Sequence, residues 1–157
     1  MSELTFEEIL ARDGVLAYMI RGISMEPMLR QGRDLVVIRV PSSRLKKYDT
    51  ALYRRGDSYV LHRVLAVKDG YYLIRGDNTY VPETVPDSAV IGVLTSFRRK
   101  GKEISADDPA YRFYARFWHA IYPLRVLRIR FRRSAAAALR KLGVLPIIKK
   151  ILSKDGA

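Results

Sequence analysis

The stretch YVLHRVLAVKDGYYLIR, residues 59–75, decides the fold of this 157-residue chain. Residues 59–67 and 71–75 are both rich in aromatic and β-branched side chains, which favour strands. The residues between them, Lys68-Asp69-Gly70, form a short connection that contains Asp-Gly, which is typical of a hairpin turn. We therefore predict two antiparallel strands joined by a tight turn.

Short apolar segments on both sides of this hairpin predict more strands. A helix over residues 6–12, ended by Asp13-Gly14, is predicted to precede them. The strand-like segments are punctuated by Gly, Asp and Pro and cover residues 15–23, 35–40, 51–53 and 90–98. Roughly six short strands with such punctuation predict an α+β protein built on a small, irregular β-sheet or barrel.

Positive charge is concentrated at the C-terminal end. Of the net charge of +13, residues 1–108 contribute +2, from 17 Lys and Arg against 15 Asp and Glu, and residues 109–157 contribute +11, from 12 against 1. Composition changes at the same place, because residues 101–109 are polar and turn-prone. We predict a domain boundary near Asp108, with a β-rich core at 1–108 and a basic tail at 109–157.

The tail is predicted to be helical. Helices are expected over residues 110–122, from Pro123 to Leu142, and over residues 146–152. In the second helix apolar residues recur at helical spacing, and arginines and lysines occupy much of the remainder. This pattern is that of a basic amphipathic helix.

Composition excludes several classes of site. The chain has no cysteine, so disulfides, thiolate zinc sites and thiol nucleophiles are absent. Its two histidines, His62 and His119, show no HExxH spacing, and we predict no metal and no cofactor. The acidic N-terminus does not resemble a secretion signal, and no run of 18 apolar residues predicts a membrane span. We expect a chain that is soluble or lies on a surface.

A hydroxyl and an imidazole in the core have the placement that nucleophilic catalysis requires. Ser24 lies in the string GISMEPML, residues 22–29, where a predicted strand gives way to a turn containing Pro27. His62 shares one face of its strand with Val60 and Val64, whose apolar character predicts that the imidazole is partly buried. Such an imidazole is kept neutral and can accept a serine proton near neutral pH.

Five short segments follow one another in the core: SMEPML (24–29), GRDLVV (32–37), LHRV (61–64), RGDNT (75–79) and VIG (90–92). Together they resemble the ordered sequence boxes of type I signal peptidases, and the resemblance covers residues 15–98. Bacterial members of that family usually pair the serine with a lysine, whereas archaeal and endoplasmic-reticulum members have a histidine at the corresponding place. The pair His62-Arg63 is similar to the second kind.

The resemblance implies a β-fold catalytic core and a serine endopeptidase that cleaves a peptide or protein in extended conformation. Ser24 would be the nucleophile, with its backbone N–H donating to the oxyanion, and His62 would be the general base. The carboxylate is open at this point. Asp77 falls in the RGDNT segment, where the family's aspartate is partly structural, and Glu83 and Asp87 follow it. Glu83 has the closer spacing, although glutamate departs from the family.

Three features depart from the family. Gly22 stands two residues before the predicted nucleophile, where many members have a serine that helps to bind the oxyanion. The segment Tyr48-Asp49-Thr50-Ala51 stands where a Gly-Asp-hydrophobic segment would be expected. The usual N-terminal membrane anchor is not seen, so we expect a cytoplasmic chain that is at most peripheral on a membrane.

The aromatic and basic composition of the tail predicts binding to an anionic membrane surface. Trp118, with tyrosines and leucines, would enter an anionic bilayer surface while the arginines of residues 109–157 meet lipid head groups. His119 is expected to be a packing or interfacial residue. The competing interpretations of the tail are a helical layer packed on the sheet and a nucleic-acid contact. Nucleic acid is disfavoured, because nothing resembles a helix-turn-helix or an RNA-binding signature.

Three functions stay open from the sequence. The first is a Ser-His endopeptidase with Ser24, His62, Glu83 and Asp77 at its site. The second is an inactive peptidase-fold adaptor that binds a peptide or an anionic membrane surface. The third is a self-cleaving regulator of the repressor type, which would require a lysine base and an N-terminal DNA-binding domain, for which residues 1–14 are too short.

Overall fold

The structure is a computed structural model that describes residues 4–141 of the chain. It is α+β: eight antiparallel strands form a curled half-barrel sheet, accompanied by three helices. The elements are α1 (Phe6–Asp13), β1 (Val15–Met19), β2 (Asp34–Arg39), β3 (Thr50–Arg55), β4 (Ser58–Lys68), β5 (Tyr71–Arg75), β6 (Glu83–Pro86), β7 (Val90–Arg99), β8 (Lys102–Ser105), α2 (Pro109–Ala120) and α3 (Tyr122–Lys141). Neighbouring strands follow the order β1-β2-β7-β3-β4-β5-β6, and β8 pairs with β7.

The predicted hairpin is confirmed. Strands β4 and β5 pair antiparallel from Lys68 opposite Tyr71 to Arg63 opposite Arg75. Gly70 supplies the turn with a φ of 75°, a conformation that costs glycine little. The register shifts between Val64 and Ala66, so Leu65 is an extra residue on β4 and the strand bends there.

The predicted first helix is also confirmed, and its ends follow local chemistry. The Thr5 hydroxyl accepts from the Glu8 N–H, and the Glu8 carboxylate accepts from the Thr5 N–H, which completes a capping box. At the other end Gly14 has a φ of 69° and its N–H bonds to the Leu10 carbonyl. The buried side chain of Leu10 fixes α1 against the core.

Two strands lie where the sequence predicts none. Strand β6 contains Pro86 and is flanked by Pro82, and prolines in a sequence usually indicate a loop. The strand forms because it lies at the edge of the sheet, where proline is tolerated. Strand β8 lies inside the segment expected to be polar and turn-like. It forms because Ile104 packs on the core and the Ser96 hydroxyl donates to the Glu103 carboxylate at 2.6 Å. Conversely, β1 ends at Met19, four residues before the predicted end at Ile23.

Buried apolar side chains form two clusters on the two sides of the sheet's central strands. The larger one contains Met25 and Leu29, on either side of the turn after Ser24, with residues of β2 and β7. The smaller one contains Tyr53 and Val64 with residues of β5 and β6. Strand β4 contributes to both, since Leu61 belongs to the first cluster and Val64 to the second. His62 is therefore on a strand that is covered on both faces.

The first compact unit of the chain extends to His119, beyond the boundary predicted near Asp108. Its last helix, α2, packs on the strands because Tyr111 and Ala115 are buried, and the Tyr111 ring lies 5.7 Å from that of Phe97. The second unit, from residue 120 onward, contains α3. Within residues 4–141 no helix is both long and apolar enough to cross a membrane. The helix predicted over residues 146–152 lies outside the described residues.

A buried ion pair connects β4, the loop after β5 and α2. Arg63 donates from Nε and Nη2 to the two oxygens of the Asp77 carboxylate, at 2.8 and 2.7 Å. Helix α2 adds two bonds, one from the Tyr114 hydroxyl to the same carboxylate at 3.3 Å and one from Trp118 Nε1 to the Asp77 carbonyl at 2.8 Å. Both charged side chains are almost fully buried.

Breaking this ion pair is expected to cost much more stability than breaking an exposed one. In Asp77→Asn the guanidinium of Arg63 stays buried without its counter-charge, so we expect the free energy of unfolding to fall by about 3–5 kcal/mol. The matched control is Asp87→Asn, because the Arg44–Asp87 pair at 3.0 Å is exposed and is expected to contribute less than about 1 kcal/mol. Urea denaturation measures both, and equal losses would contradict the structural role of Arg63–Asp77.

Candidate active site

Ser24 lies in the turn that follows β1, as the sequence predicts, and its neighbours anchor that turn. Met25 and Leu29 are buried in the larger core cluster. The N–H of Leu29 bonds to the carbonyl of Met25 at 3.0 Å, and the peptide bond between Glu26 and Pro27 is cis. The turn is thus held from the inside while Ser24 itself stays partly exposed.

The loop after β5 holds the backbone of Ser24 from the other side. Asn78 donates its N–H to the Ser24 carbonyl at 2.7 Å and its side-chain amide to the Ile23 carbonyl at 3.2 Å. Gly76 is the residue of closest approach, because a Cβ there would lie only 2.6 Å from the Ser24 carbonyl oxygen. The structure requires glycine at this position because the two backbones pack closely.

A second buried carboxylate, that of Asp34, stabilises the C-terminal end of the turn that contains Ser24. Asp34, at the start of β2, accepts bonds from Arg33 and Arg99 and from the N–H of Arg30. Both arginines also donate to the Met28 carbonyl. Burial acts to raise the pKa of Asp34, but these bonds outweigh it and lower the pKa to about 2.

His62 is buried on β4, as predicted, and its ring extends between two groups of the site. Its Nδ1 lies 3.1 Å from Glu83 Oε1. Its Nε2 lies on the side of the Ser24 turn, because a Cβ on Gly76 would be 3.0 Å from Nε2 and 2.6 Å from the Ser24 carbonyl oxygen. His62 Nε2 and the Ser24 carbonyl oxygen are therefore at most about 6 Å apart.

Tyr53 completes a hydrogen-bonded triangle with His62 and Glu83. Its hydroxyl donates to Glu83 Oε1 at 3.0 Å and lies 3.2 Å from His62 Nδ1. An ionised carboxylate only accepts, so His62 Nδ1 must carry the proton in this network. The neutral imidazole then has an unprotonated Nε2 facing the Ser24 turn, which is the tautomer that a general base needs.

The environment keeps the imidazole neutral and the carboxylate ionised. Burial lowers the pKa of His62 below its ordinary value, although the nearby charge of Glu83 acts in the opposite direction. Burial acts to raise the pKa of Glu83, but hydrogen bonds from Arg55 and Tyr53 outweigh it, and the pKa falls below its usual value. Arg55 Nη1 lies 3.0 Å from Glu83 Oε2. At neutral pH the site is therefore set up as neutral imidazole beside carboxylate.

The three carboxylates named from the sequence lie in different surroundings. Glu83 contacts the imidazole of His62. Asp77 forms the buried ion pair with Arg63, the residue next to His62, and so connects the β4 backbone to the loop that holds Ser24. Asp87 lies in a short 3₁₀ turn and forms an exposed ion pair with Arg44.

No hydrogen bond joins Ser24 Oγ to the His62 imidazole among the residues that the structure describes. Such bonds are often long in a free enzyme and shorten when substrate binds. The N–H of Ser24 is likewise without a hydrogen bond in this part of the chain. The N–H of Gly22, by contrast, donates to Gln31 Oε1 at 2.6 Å.

Ser24, His62 and Glu83 line one cleft of about 1120 Å³. Aromatic rings form part of its wall, where Phe6 stacks on Tyr59 with ring centroids 4.7 Å apart. Strand β1 borders the cleft as the end strand of the sheet, and within residues 4–141 no strand pairs with its outer edge. An edge of this kind can pair with an extended peptide.

Three residues of the site are absent from the sequence-based prediction. Tyr53 and Arg55 share one face of β3, and period-two spacing could have placed both beside a site on the neighbouring β4. Asn78 lies within the RGDNT segment but acts through its backbone and amide on Ser24, a contact that no spacing rule predicts. Residues 4–141 contain no cluster of three or more His, Asp and Glu side chains suited to a metal ion.

The chain matches no protein-family model and no curated protein sequence.

The electrostatics of the triangle can be measured without a substrate. We expect an NMR titration to give His62 a pKa below its ordinary value of about 6.5, because burial penalises the imidazolium. Glu83→Gln should lower the pKa of His62 further, since it removes the charge that favours the protonated ring. His119 is the internal control and should not respond to this change. A His62 pKa at or above about 6.5, or no shift in Glu83→Gln, would contradict the arrangement.

Proposed function

We propose that the chain is a serine endopeptidase with the fold and the histidine-type chemistry of the type I signal peptidases. Ser24 is the nucleophile, His62 the general base and Glu83 the carboxylate that orients the base. One observation carries the proposal: His62 directs Nδ1 to a carboxylate and Nε2 toward the turn of a partly exposed serine, in a cleft that all three residues line.

The proposed reaction is acyl transfer in two steps. Nε2 of His62 takes the proton of Ser24 Oγ while the oxygen attacks the peptide carbonyl, and a tetrahedral intermediate forms. The intermediate expels the amine, which receives the proton from the imidazolium, and an ester on Ser24 remains. Water then hydrolyses the ester with His62 again acting as the base. Glu83 stabilises the imidazolium in both steps.

The oxyanion requires donors near Ser24 Oγ. The backbone N–H of Ser24 is the proposed donor, and its lack of a hydrogen bond in the described residues supports this role. Gly22 offers no hydroxyl, and its N–H already bonds to Gln31. Gly22 therefore supplies no second donor to the oxyanion.

Backbone conformation supports the likeness to signal peptidases at one position where the sequence departs from them. Tyr48 stands where a glycine would be expected, and its φ of 78° lies in the left-handed region that glycine favours. Its N–H bonds to the Val64 carbonyl at 2.8 Å, and its own carbonyl accepts from Arg63 Nη1 at 3.0 Å. The family's backbone shape is thus compatible with this chain despite the substitution.

The proposed substrate is an extended peptide segment. The outer edge of β1 would add the peptide as a further antiparallel or parallel strand, with its scissile bond at Ser24. Main-chain hydrogen bonds of this kind tolerate many side chains, so selectivity would depend on the aromatic wall of the cleft around Phe6 and Tyr59.

The nucleophile is tested with a serine-directed fluorophosphonate. We expect the wild type to be labelled, and Ser24→Ala and His62→Ala to lose labelling by at least about 10⁴-fold, because the serine and its base act as a unit. Ser58→Ala is the matched control, since Ser58 is an exposed serine that lines the same cleft. Labelling that persists in Ser24→Ala would reject the proposal. A chain that binds peptides without Ser24-dependent labelling would instead be an adaptor.

The base is tested by the pH dependence of the same labelling. The rate should rise with pH through an apparent pKa below about 6.5, because only the neutral imidazole accepts the serine proton. In Glu83→Gln the rate should fall about 10²-fold or more and its acid limb should move to lower pH. Asp87→Asn is the control carboxylate and should leave both unchanged. A rate that rises only above about pH 8 would indicate another base.

A further inference from the structure

The outward face of α2 combines arginine and phenylalanine side chains. Its inner face, with Tyr111 and Ala115, is buried on the strands. Phe113 and Phe117 remain 68% and 49% exposed, and their rings stack with centroids 6.0 Å apart. Four exposed residues at spacings of one, three and four define this face: Arg112, Phe113, Arg116 and Phe117.

Helix α3, considered by itself, shows the same combination. Leu124, Leu127 and Phe131 recur at helical spacing on one stripe and are between 63% and 73% exposed. Arg128 and Arg130 are exposed beside them. Residues 109–141 contain nine arginines and lysines and no aspartate or glutamate.

These faces need a partner that is anionic at its surface and apolar below it. Large apolar side chains in water mark an interaction surface rather than an ordinary solvated helix. A nucleic acid would match the arginines but would leave Leu124 and Leu127 in water. An anionic bilayer accepts both kinds of side chain, because phosphate groups meet guanidinium groups above the acyl chains.

We propose that the chain binds the surface of an anionic phospholipid bilayer through the outward face of α2, and that the exposed apolar stripe of α3 with its arginines binds the same kind of surface. Each helix, taken by itself, lies at the level of the head groups, with its large apolar side chains directed to the acyl boundary and its arginines to phosphates. Neither the catalytic chemistry nor its substrate enters this proposal. It therefore stands or fails independently of the proposed peptidase function.

Vesicle co-sedimentation of the full chain tests the proposal. We expect binding to vesicles of equal parts phosphatidylglycerol and phosphatidylcholine, and much weaker binding to phosphatidylcholine alone. Each arginine near the surface contributes a factor of about five, so Arg112→Gln with Arg116→Gln should weaken partitioning by about 25-fold. Phe113→Ser with Phe117→Ser should weaken it by about tenfold or more. Leu127→Ser with Phe131→Ser tests α3 separately and should also reduce binding.

Matched variants separate this surface from net charge and general hydrophobicity. Arg98→Gln with Lys102→Gln removes the same charge from the exposed β7–β8 hairpin, and Val40→Ser removes an exposed apolar side chain elsewhere. Both should lose much less binding than the helix variants. The melting temperature of each variant should match that of the wild type, because every changed residue is exposed. If the phenylalanine double variant melts at a lower temperature, Phe113→Gln alone takes its place.

Three outcomes would overturn the proposal. One is equal binding to neutral and anionic vesicles. Another is that the arginine variants lose binding while the phenylalanine variants bind as well as the wild type, which indicates contact with phosphates without insertion into the bilayer. The third is tight, salt-sensitive binding of a single-stranded oligonucleotide by a chain that does not sediment with vesicles, which would identify a nucleic-acid surface.

Discussion

The buried ion pair between Arg63 and Asp77 is the constraint on which the site's geometry depends. Removing two charges from water is costly, and the pair persists because the geometry is bidentate and further bonds satisfy both groups. Arg63 follows His62 on β4, and Asp77 lies between Gly76, which packs closely against the Ser24 carbonyl, and Asn78, which donates a hydrogen bond to it. The proposed base and nucleophile are therefore aligned through one pair of charges on residues adjacent to them.

Helix α2, at the start of the basic segment, is joined to the core through the Arg63–Asp77 pair. Tyr114 and Trp118 bond to Asp77 from the inner face of α2, while its outer face carries the exposed phenylalanines and arginines. The proposed membrane surface and the residues that order the proposed active site thus share one helix. The inner face suits burial because its aromatic hydroxyl and indole groups find hydrogen-bond partners there, and the arginines of the outer face stay in water because they have no buried partner.

Local patterns predicted the elements best. The Asp-Gly turn between two runs of aromatic and β-branched residues predicted the hairpin, Asp13-Gly14 predicted the end of α1, and helical spacing predicted helices over most of residues 109–141. Strands β6 and β8 could not be predicted, because their pairing depends on neighbours supplied by the sheet rather than on their own composition. Tyr53 is a different case, because its hydroxyl contacts His62 on the directly paired strand β4, where period-two spacing could have placed it.

Sequence order suggested the members of the site but not their partners. Glu83 and Asp77 were both open as the carboxylate, and only the fold shows that one contacts His62 and the other Arg63. The choice depends on which face of β4 each approaches, and that is set by long-range strand pairing. The role of Gly76 was hidden for the same reason, because close approach of two backbones leaves no mark in local sequence.

A crystal structure of the chain after reaction with a fluorophosphonate tests the central claim most directly. The account predicts a phosphorus atom bonded to Ser24 Oγ, His62 Nε2 within about 3.2 Å of an oxygen of the adduct, and Nδ1 still on Glu83. An adduct on another residue, or an imidazole whose Nε2 faces away from Ser24 while the Arg63–Asp77 pair is intact, would contradict it.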